Sequence, residues 1–191
     1  LNAGRTTLEH VPKIEEVNRL IEVLRSIGVS VEWQNNNLKI ITGDISLEKI
    51  DRVAATKTRS ILMFIGPLLH LFKKFELPQS GGCTLGLRSV RPHLLALEKF
   101  GVNIEATSDT YRVTHTKLTP TEVVLYESSD TATINALFAA ARIPGNSVIK
   151  YASANYQVQE VCGFLRALGV TIDGIGSTTL TIHGIADIKK D

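Results

Sequence analysis

The stretch best equipped for chemistry is Pro78-Gln79-Ser80-Gly81-Gly82-Cys83-Thr84-Leu85-Gly86-Leu87-Arg88. It sets one of only two cysteines behind a Gly-Gly pair and shortly ahead of an arginine. Glycines allow a sharp turn and a close approach of backbone to ligand. A thiol on such a loop, near a guanidinium, has its thiolate favoured and can act as an acid or a nucleophile. The alternative is that Cys83 is a small apolar residue at a turn. Arg59, at the head of an apolar run, must reach either solvent or a site. His93 follows Pro92 near a helix start and either orients a site or caps a turn. Cys162 lies among Val161, Phe164 and Leu165 and reads as core. Trp33, on a strand, reads as a packing residue.

The elements that must position these residues come from an internal repeat. Leu24-Arg25-Ser26-Ile27-Gly28-Val29-Ser30-Val31-Glu32, Leu97-Glu98-Lys99-Phe100-Gly101-Val102-Asn103-Ile104-Glu105 and Leu165-Arg166-Ala167-Leu168-Gly169-Val170-Thr171-Ile172-Asp173 share one pattern. A helix ends, a glycine follows, and an alternating strand closes on an acid. Each is followed by a second alternating strand, at Leu38 to Ile41, Tyr111 to Val113 and Leu180 to Ile182. The glycines recur about every 70 residues, a longer period than common solenoid repeats have. They sit where a helix C-terminus needs a left-handed residue. The first helix carries Ile14, Val17, Leu20, Ile21 and Leu24 on one stripe. A second kind of helix, over Thr58 to Phe72 and Thr131 to Arg142, is apolar almost all round and is expected to be buried. Three repeats ask for three such helices. Arg142 to Ile149 resembles Leu1 to Leu8, which puts residue 1 at the end of a third buried helix. Residues 1–191 are therefore expected to be a single domain lacking roughly 15 residues of its first unit, about four turns. The fold expected is α/β, an inside-out barrel of three units with helices buried inside mostly antiparallel sheets.

Composition limits the function. The chain has 191 residues, 43% hydrophobic and 21% charged, with a net charge of +2. That is globular, and too balanced to imply nucleic acid. Two cysteines make no disulfide framework, so a cytoplasmic protein is expected. No CxxC or Cys/His cluster suggests a metal; that no cofactor is needed is an expectation only of the resemblance given next. The longest apolar run, Ile61 to Phe72, is interrupted by Pro67 and His70 and is too short to span a bilayer.

Three pseudo-repeats with buried helices, Arg59-Ser60-Ile61-Leu62 with Gly66-Pro67-Leu68, Gly81-Gly82-Cys83-Thr84-Leu85-Gly86 with Arg88, and His93 together resemble the enolpyruvyl transferases. The likeness is greatest to members whose acceptor is UDP-N-acetylglucosamine, and it spans the whole chain as one of the family's two domains. The sister family that makes enolpyruvylshikimate phosphate shares the fold but lacks the Gly-Gly-Cys loop. The resemblance implies transfer of the enolpyruvyl group of phosphoenolpyruvate to the 3-hydroxyl of a UDP-amino sugar, with release of phosphate, at the start of peptidoglycan synthesis. It implies that Arg59 and Arg88 hold phosphoenolpyruvate. It makes Cys83 the general acid and the thiol that fosfomycin alkylates in sensitive members. Arg88, Val90, Ser128 and Ser129 would meet the UDP-sugar. A second domain of the same protein would supply a general-base aspartate and a further arginine.

The sequence departs from the family pattern on the nucleotide side. The family's Arg-Pro-Val-Asp loop reads Arg88-Ser89-Val90-Arg91 here, so an acid has become a base. Its Lys-x-Ser-x-Gly-Ala-Thr stretch reads Glu127-Ser128-Ser129-Asp130-Thr131-Ala132-Thr133, which brings two carboxylates towards a diphosphate and is repulsive unless they are neutralised. An acidic Arg-Glu-Pro-Glu stretch reads Ala154-Asn155-Tyr156-Gln157. Three readings follow: a UDP-amino sugar transferase, a diverged binding homologue without catalysis, and a transferase with another acceptor such as shikimate 3-phosphate.

Overall fold

The computed structural model describes residues 4–79 and 89–188. Cys83 and Arg88 lie outside the described residues. The first repeat is β1 (Arg5–Leu8), α1 (Glu15–Ser26), β2 (Val29–Gln34) and β3 (Asn37–Thr42). A 3-10 turn (Leu47–Lys49), α2 (Arg52–Thr56), a 3-10 helix (Arg59–Phe64) and α3 (Ile65–Leu68) lead to the second. That repeat is β4 (Lys74–Pro78), α4 (Arg91–Glu98), β5 (Val102–Ala106) and β6 (Thr110–His115). Then come β7 (Glu122–Val124), α5 (Asp130–Ala141), β8 (Gly145–Lys150), α6 (Tyr156–Ala167), β9 (Thr171–Asp173) and β10 (Thr179–Gly184).

The three repeats share one topology. Strand orders are β1-β3-β2, β4-β6-β5 and β7-β8-β10-β9, so the last strand of each copy always lies between the first and the middle one. Pairing is antiparallel except between β7 and β8. The strands make three separate sheets, and no closed barrel forms among the described residues. Gly28, Gly101 and Gly169 adopt φ of 100°, 91° and 97°, as the helix-end reading requires. At Gly28 a Cβ would also sit 2.4 Å from the Asp44 carbonyl oxygen, so this position excludes larger residues twice over.

The buried helices form the middle of the molecule. On α5 only Asp130, Thr131 and Phe138 escape burial, and it packs against α3, α4, α6 and β10. Leu137 is wholly inaccessible, as are Leu68, Leu97 and Ile149 around it. Each contributes roughly 1.5–3 kcal/mol relative to exposure.

Two local expectations are corrected. The apolar run from Thr58 to Phe72 is not one regular helix but a 3-10 helix that passes into a single α turn. The cause is a side chain from α5. Asn135 Nδ2 donates to the Leu62 carbonyl at 2.9 Å and Asn135 Oδ1 accepts from Gly66 N–H at 2.8 Å. Those two backbone groups would have bonded each other in a continuous α-helix, and the Asn135 amide stands between them. Ile14, just ahead of α1, is exposed, and Val23, off the expected stripe, is fully buried against Ala54, Ala55 and Ile61. The short helix α2 packs on α1 and gives it a second buried face.

Candidate functional site

A cleft of about 910 Å³ opens where the N-terminal ends of α4 and α5 meet the 3-10 helix. Arg59, Ser89, His93, Glu127, Ser129 and Asp130 are among its lining residues, with Ser153 to Asn155 closing one side. Several local devices aim these groups.

Arg59 opens its 3-10 helix behind Thr58, whose side chain accepts from Ser60 N–H at 3.1 Å. Thr58 and Ser60 both donate their hydroxyls to Glu16 of α1, which fixes the start of the helix. The Arg59 guanidinium reaches outward and donates from Nη2 to the Ser89 carbonyl at 2.9 Å. Ser89 is the first described residue after the stretch that carries Cys83 and Arg88. Arg59 therefore joins the buried-helix layer to the flank of that stretch. Ser89 Oγ in turn accepts from Arg91 N–H at 3.1 Å at the start of α4.

His93 forms the floor. It is 3% exposed. Asn135 Nδ2 donates to His93 Nδ1 at 3.3 Å, so the ring proton sits on Nε2, which donates to Thr131 Oγ1 at 3.1 Å. Burial pushes the imidazole pKa down to about 4, and the nearby Arg59 charge adds to the effect. Near neutral pH His93 is uncharged and serves as a link between α4 and α5. Asn135 carries the link on to Leu62 and Gly66, so one buried amide joins three helices.

The acidic side is also organised. Ser129 caps α5, its Oγ accepting from Ala132 N–H at 3.4 Å. Asp130 follows, and its carboxylate accepts from the Ser153 hydroxyl and from Asn155 Nδ2 at 3.0 Å. Ser153 N–H donates to Thr133 Oγ1 at 3.1 Å, which itself donates to the Ser129 carbonyl at 2.7 Å. The approach to α6 is thus stitched onto the first turn of α5. Two carboxylates, Glu127 and Asp130, share the described lining with one guanidinium, Arg59.

Of the residues singled out in the sequence, Arg59, Ser128 and Ser129 line the cleft together. Val90 does not; its side chain packs against the core, and its carbonyl accepts from His93 N–H at 3.0 Å. Cys83 and Arg88 fall outside the described residues. Cys162 is fully buried in the core, and burial raises its thiol pKa to about 11. Trp33 is partly buried, with Lys13 Nζ 5.1 Å from its ring centroid. Asn135 and Ser153 were not foreseen, and Asn155 appeared only as a departure from the family pattern. The signal for Asn135 was available: an amide inside an otherwise apolar helix must find partners.

Comparison with known proteins bears on the family. UDP-N-acetylglucosamine 1-carboxyvinyltransferase of Bradyrhizobium diazoefficiens is 38% identical over 185 residues, covering 96% of this chain and 43% of that protein. The protein of the same name from Treponema denticola is 36% identical over 183 residues, covering 95% and 43%. The chain thus spans less than half the length of these relatives. Among solved structures, the enolpyruvyl transferase NikO from Streptomyces tendae superposes with a TM-score of 0.79 at 20% identity, over 96% of this chain and 43% of its own. EPSP synthase from Acinetobacter baumannii gives 0.73 at 17% identity, over 99% and 43%. Both share this fold of three sheets around buried helices. Residues 1–191 also match, over their whole length, the family described as EPSP synthase (3-phosphoshikimate 1-carboxyvinyltransferase), and to that family this chain belongs.

Proposed function

We propose that residues 1–191 form one domain of an enolpyruvyl transferase that moves the enolpyruvyl group of phosphoenolpyruvate onto the 3-hydroxyl of UDP-N-acetylglucosamine and releases phosphate. The observation that carries this reading is the Arg59 bond to the Ser89 carbonyl. It ties a cleft-lining guanidinium to the flank of the segment bearing Cys83 and Arg88. The names of the relatives supply the acceptor.

The chemistry asks for few groups. Protonating the methylene carbon of phosphoenolpyruvate makes its neighbour electrophilic, and the acceptor hydroxyl adds there. Loss of a methyl proton and of phosphate then restores the double bond on the new ether. Arg59 and Arg88 hold the phosphate and carboxylate of phosphoenolpyruvate by guanidinium forks. Cys83 delivers the proton and is the thiol that fosfomycin would alkylate. Arg88, Ser128 and Ser129 face the UDP-sugar. The base that takes the hydroxyl proton belongs to a second domain of the same protein, and the site lies between the two. The product would feed peptidoglycan synthesis in the cytoplasm.

A second reading, a transferase with another acceptor, is favoured by one observation. Asp130 is held by Ser153 and Asn155 at the N-terminus of α5, with Glu127 beside it. These carboxylates stand where the UDP-amino sugar reading places the diphosphate. Phosphate release from phosphoenolpyruvate by the full-length gene product, with Cys83→Ala as control, tests both. Release that needs UDP-N-acetylglucosamine and vanishes in the variant supports the first reading. Release only with another acceptor, such as shikimate 3-phosphate, supports the second. No release with any acceptor, from a folded protein that still binds the sugar nucleotide, leaves a non-catalytic binding homologue and overturns both.

A further inference from the structure

The hydrogen bonds at the floor of the cleft run in one direction, and that direction sets a donor in the cleft. They start at the backbone. Asn135 Oδ1 accepts from Gly66 N–H at 2.8 Å, and its Nδ2 donates to the Leu62 carbonyl at 2.9 Å. Turning the amide over would set oxygen against carbonyl and nitrogen against N–H, so its orientation is determined. The second Nδ2 hydrogen points at His93 Nδ1, 3.3 Å away, and that nitrogen is the acceptor. An uncharged imidazole that accepts at Nδ1 carries its proton on Nε2. Thr131 Oγ1, 3.1 Å from Nε2, accepts that N–H. The proton of the Thr131 hydroxyl therefore has no place on the ring. Among the described residues its only other partner is Ser129 Oγ at 3.5 Å, beyond the roughly 2.5–3.0 Å of a good O–H···O bond. Thr131 is exposed and lines the cleft beside Arg59.

We propose that the Thr131 hydroxyl is a preset donor to a phosphate oxygen of the acceptor substrate, and so helps determine which acceptor this chain takes. The inference rests on the proposed transferase reading but not on the choice between its acceptors, since UDP-N-acetylglucosamine and shikimate 3-phosphate both carry phosphate. An exposed threonine hydroxyl ordinarily turns to suit either kind of partner. Here the ring N–H holds it as acceptor on one side and directs its proton to the other. An ionised phosphate oxygen offers lone pairs and no proton, so it complements a group held as a donor. The neighbouring carboxylate does not compete for that proton, because Asp130 is engaged by Ser153 and Asn155. Thr131 stands where the related pattern has glycine, so this donor is a feature of the present chain.

The test uses the full-length gene product. Nitrogen NMR of its isotope-labelled histidines near neutral pH, with His93→Gln assigning the signal, should show His93 protonated on Nε2. Protonation on Nδ1 instead overturns the proposal, because Nε2 would then take the Thr131 proton. Calorimetry with UDP-N-acetylglucosamine and with shikimate 3-phosphate reads the ligand side. Whichever acceptor the parent binds should bind Thr131→Ala about 10-fold more weakly, the loss expected for one hydrogen bond to a charged group. Thr131→Ser keeps the hydroxyl and should return to within about 2-fold of the parent. In both variants kcat and the KM for phosphoenolpyruvate should stay within about 2-fold, which a general loosening of α5 would not allow. Thr131→Gly takes the place of Thr131→Ala if the latter does not fold. Equal binding by the parent and Thr131→Ala, or no recovery in Thr131→Ser, overturns the inference and leaves the transferase reading standing. A parent that binds neither acceptor overturns both.

Discussion

Acidification should destabilise this domain through two buried histidines. His93 and His70 each have a pKa pushed down from 6.5 to about 4. Burial is the main cause in both, with Arg59 adding repulsion at His93 and Arg142 at His70. The unfolded chain takes up a proton near pH 6.5, whereas the folded chain resists it until about pH 4. Stability is therefore full above pH 6.5 and falls as the pH drops towards 4. At pH 5.5 each site forfeits about 1.4 kcal/mol, and at pH 4 about 3 kcal/mol. The pair together removes about 3 kcal/mol at pH 5.5, a large share of the roughly 5–15 kcal/mol that holds an ordinary domain together. Urea unfolding at pH 7.5 and 5.5, followed by circular dichroism, measures the loss directly. His93→Gln keeps a donor for Thr131 without the titration, and should lose about half as much as the parent over the same interval. A parent whose stability stays level or rises on acidification would refute the reasoning. So would a His93→Gln chain that loses as much as the parent.

Asn135→Leu keeps the volume but strips partners from Gly66 N–H and His93 Nδ1. It should lower the stability seen in the same urea assay by about 3 kcal/mol, since each buried orphan costs about 1–3 kcal/mol. Gly66→Ala would put a Cβ 2.6 Å from the Asn135 carbonyl oxygen and 2.7 Å from its Oδ1. It should cost about 2 kcal/mol through the forced separation of α3 and α5. Gly163→Ala, in α6 with nothing within 4 Å, should instead raise the melting temperature, since alanine favours the helix by about 0.8–1 kcal/mol over glycine. In the full-length protein, Asp130→Asn should tighten UDP-N-acetylglucosamine binding about 5-fold by calorimetry, the effect of removing about 1 kcal/mol of repulsion. Weaker binding would mean that the carboxylate itself recognises the acceptor.

The repeat was legible because it is written in local terms. Gly28, Gly101 and Gly169 are demanded by the backbone at each helix end, and the strands after them alternate wherever one face is buried. The apolar character of α5 announced its burial equally plainly. What the sequence hid depends on partners far along the chain. Leu62 and Gly66 read as one helix because nothing near them shows that Asn135 takes their hydrogen bonds. Val23 read as off the stripe because α2, which covers it, is too short to have a period of its own. Arg59 and Ser129 line one cleft because the first opens and the second caps a helix that points into it, with Ser128 just ahead of the cap. Asp130 and Asn155 showed in the sequence as departures from the family pattern, but nothing there indicated that Ser153 and Asn155 hold the Asp130 carboxylate.

The same residues explain why a cleft so open keeps its shape. Under the proposed function, a small anionic substrate calls for cations already in place, since ordering them during the reaction would cost what their charge contributes. Arg59 is placed by a 3-10 helix whose first turn is held by Glu16 and whose last turn is interrupted by Asn135. Asn135 also fixes His93, and His93 fixes the first turn of α5, where Ser129 and Asp130 begin. Uncharged at neutral pH, His93 adds no second positive charge beside Arg59 in the cleft. Its low pKa comes first from burial and second from the nearby Arg59 charge. Position and charge in this half of the site are set by one buried polar chain across three helices, and a change at any link should be felt at the others.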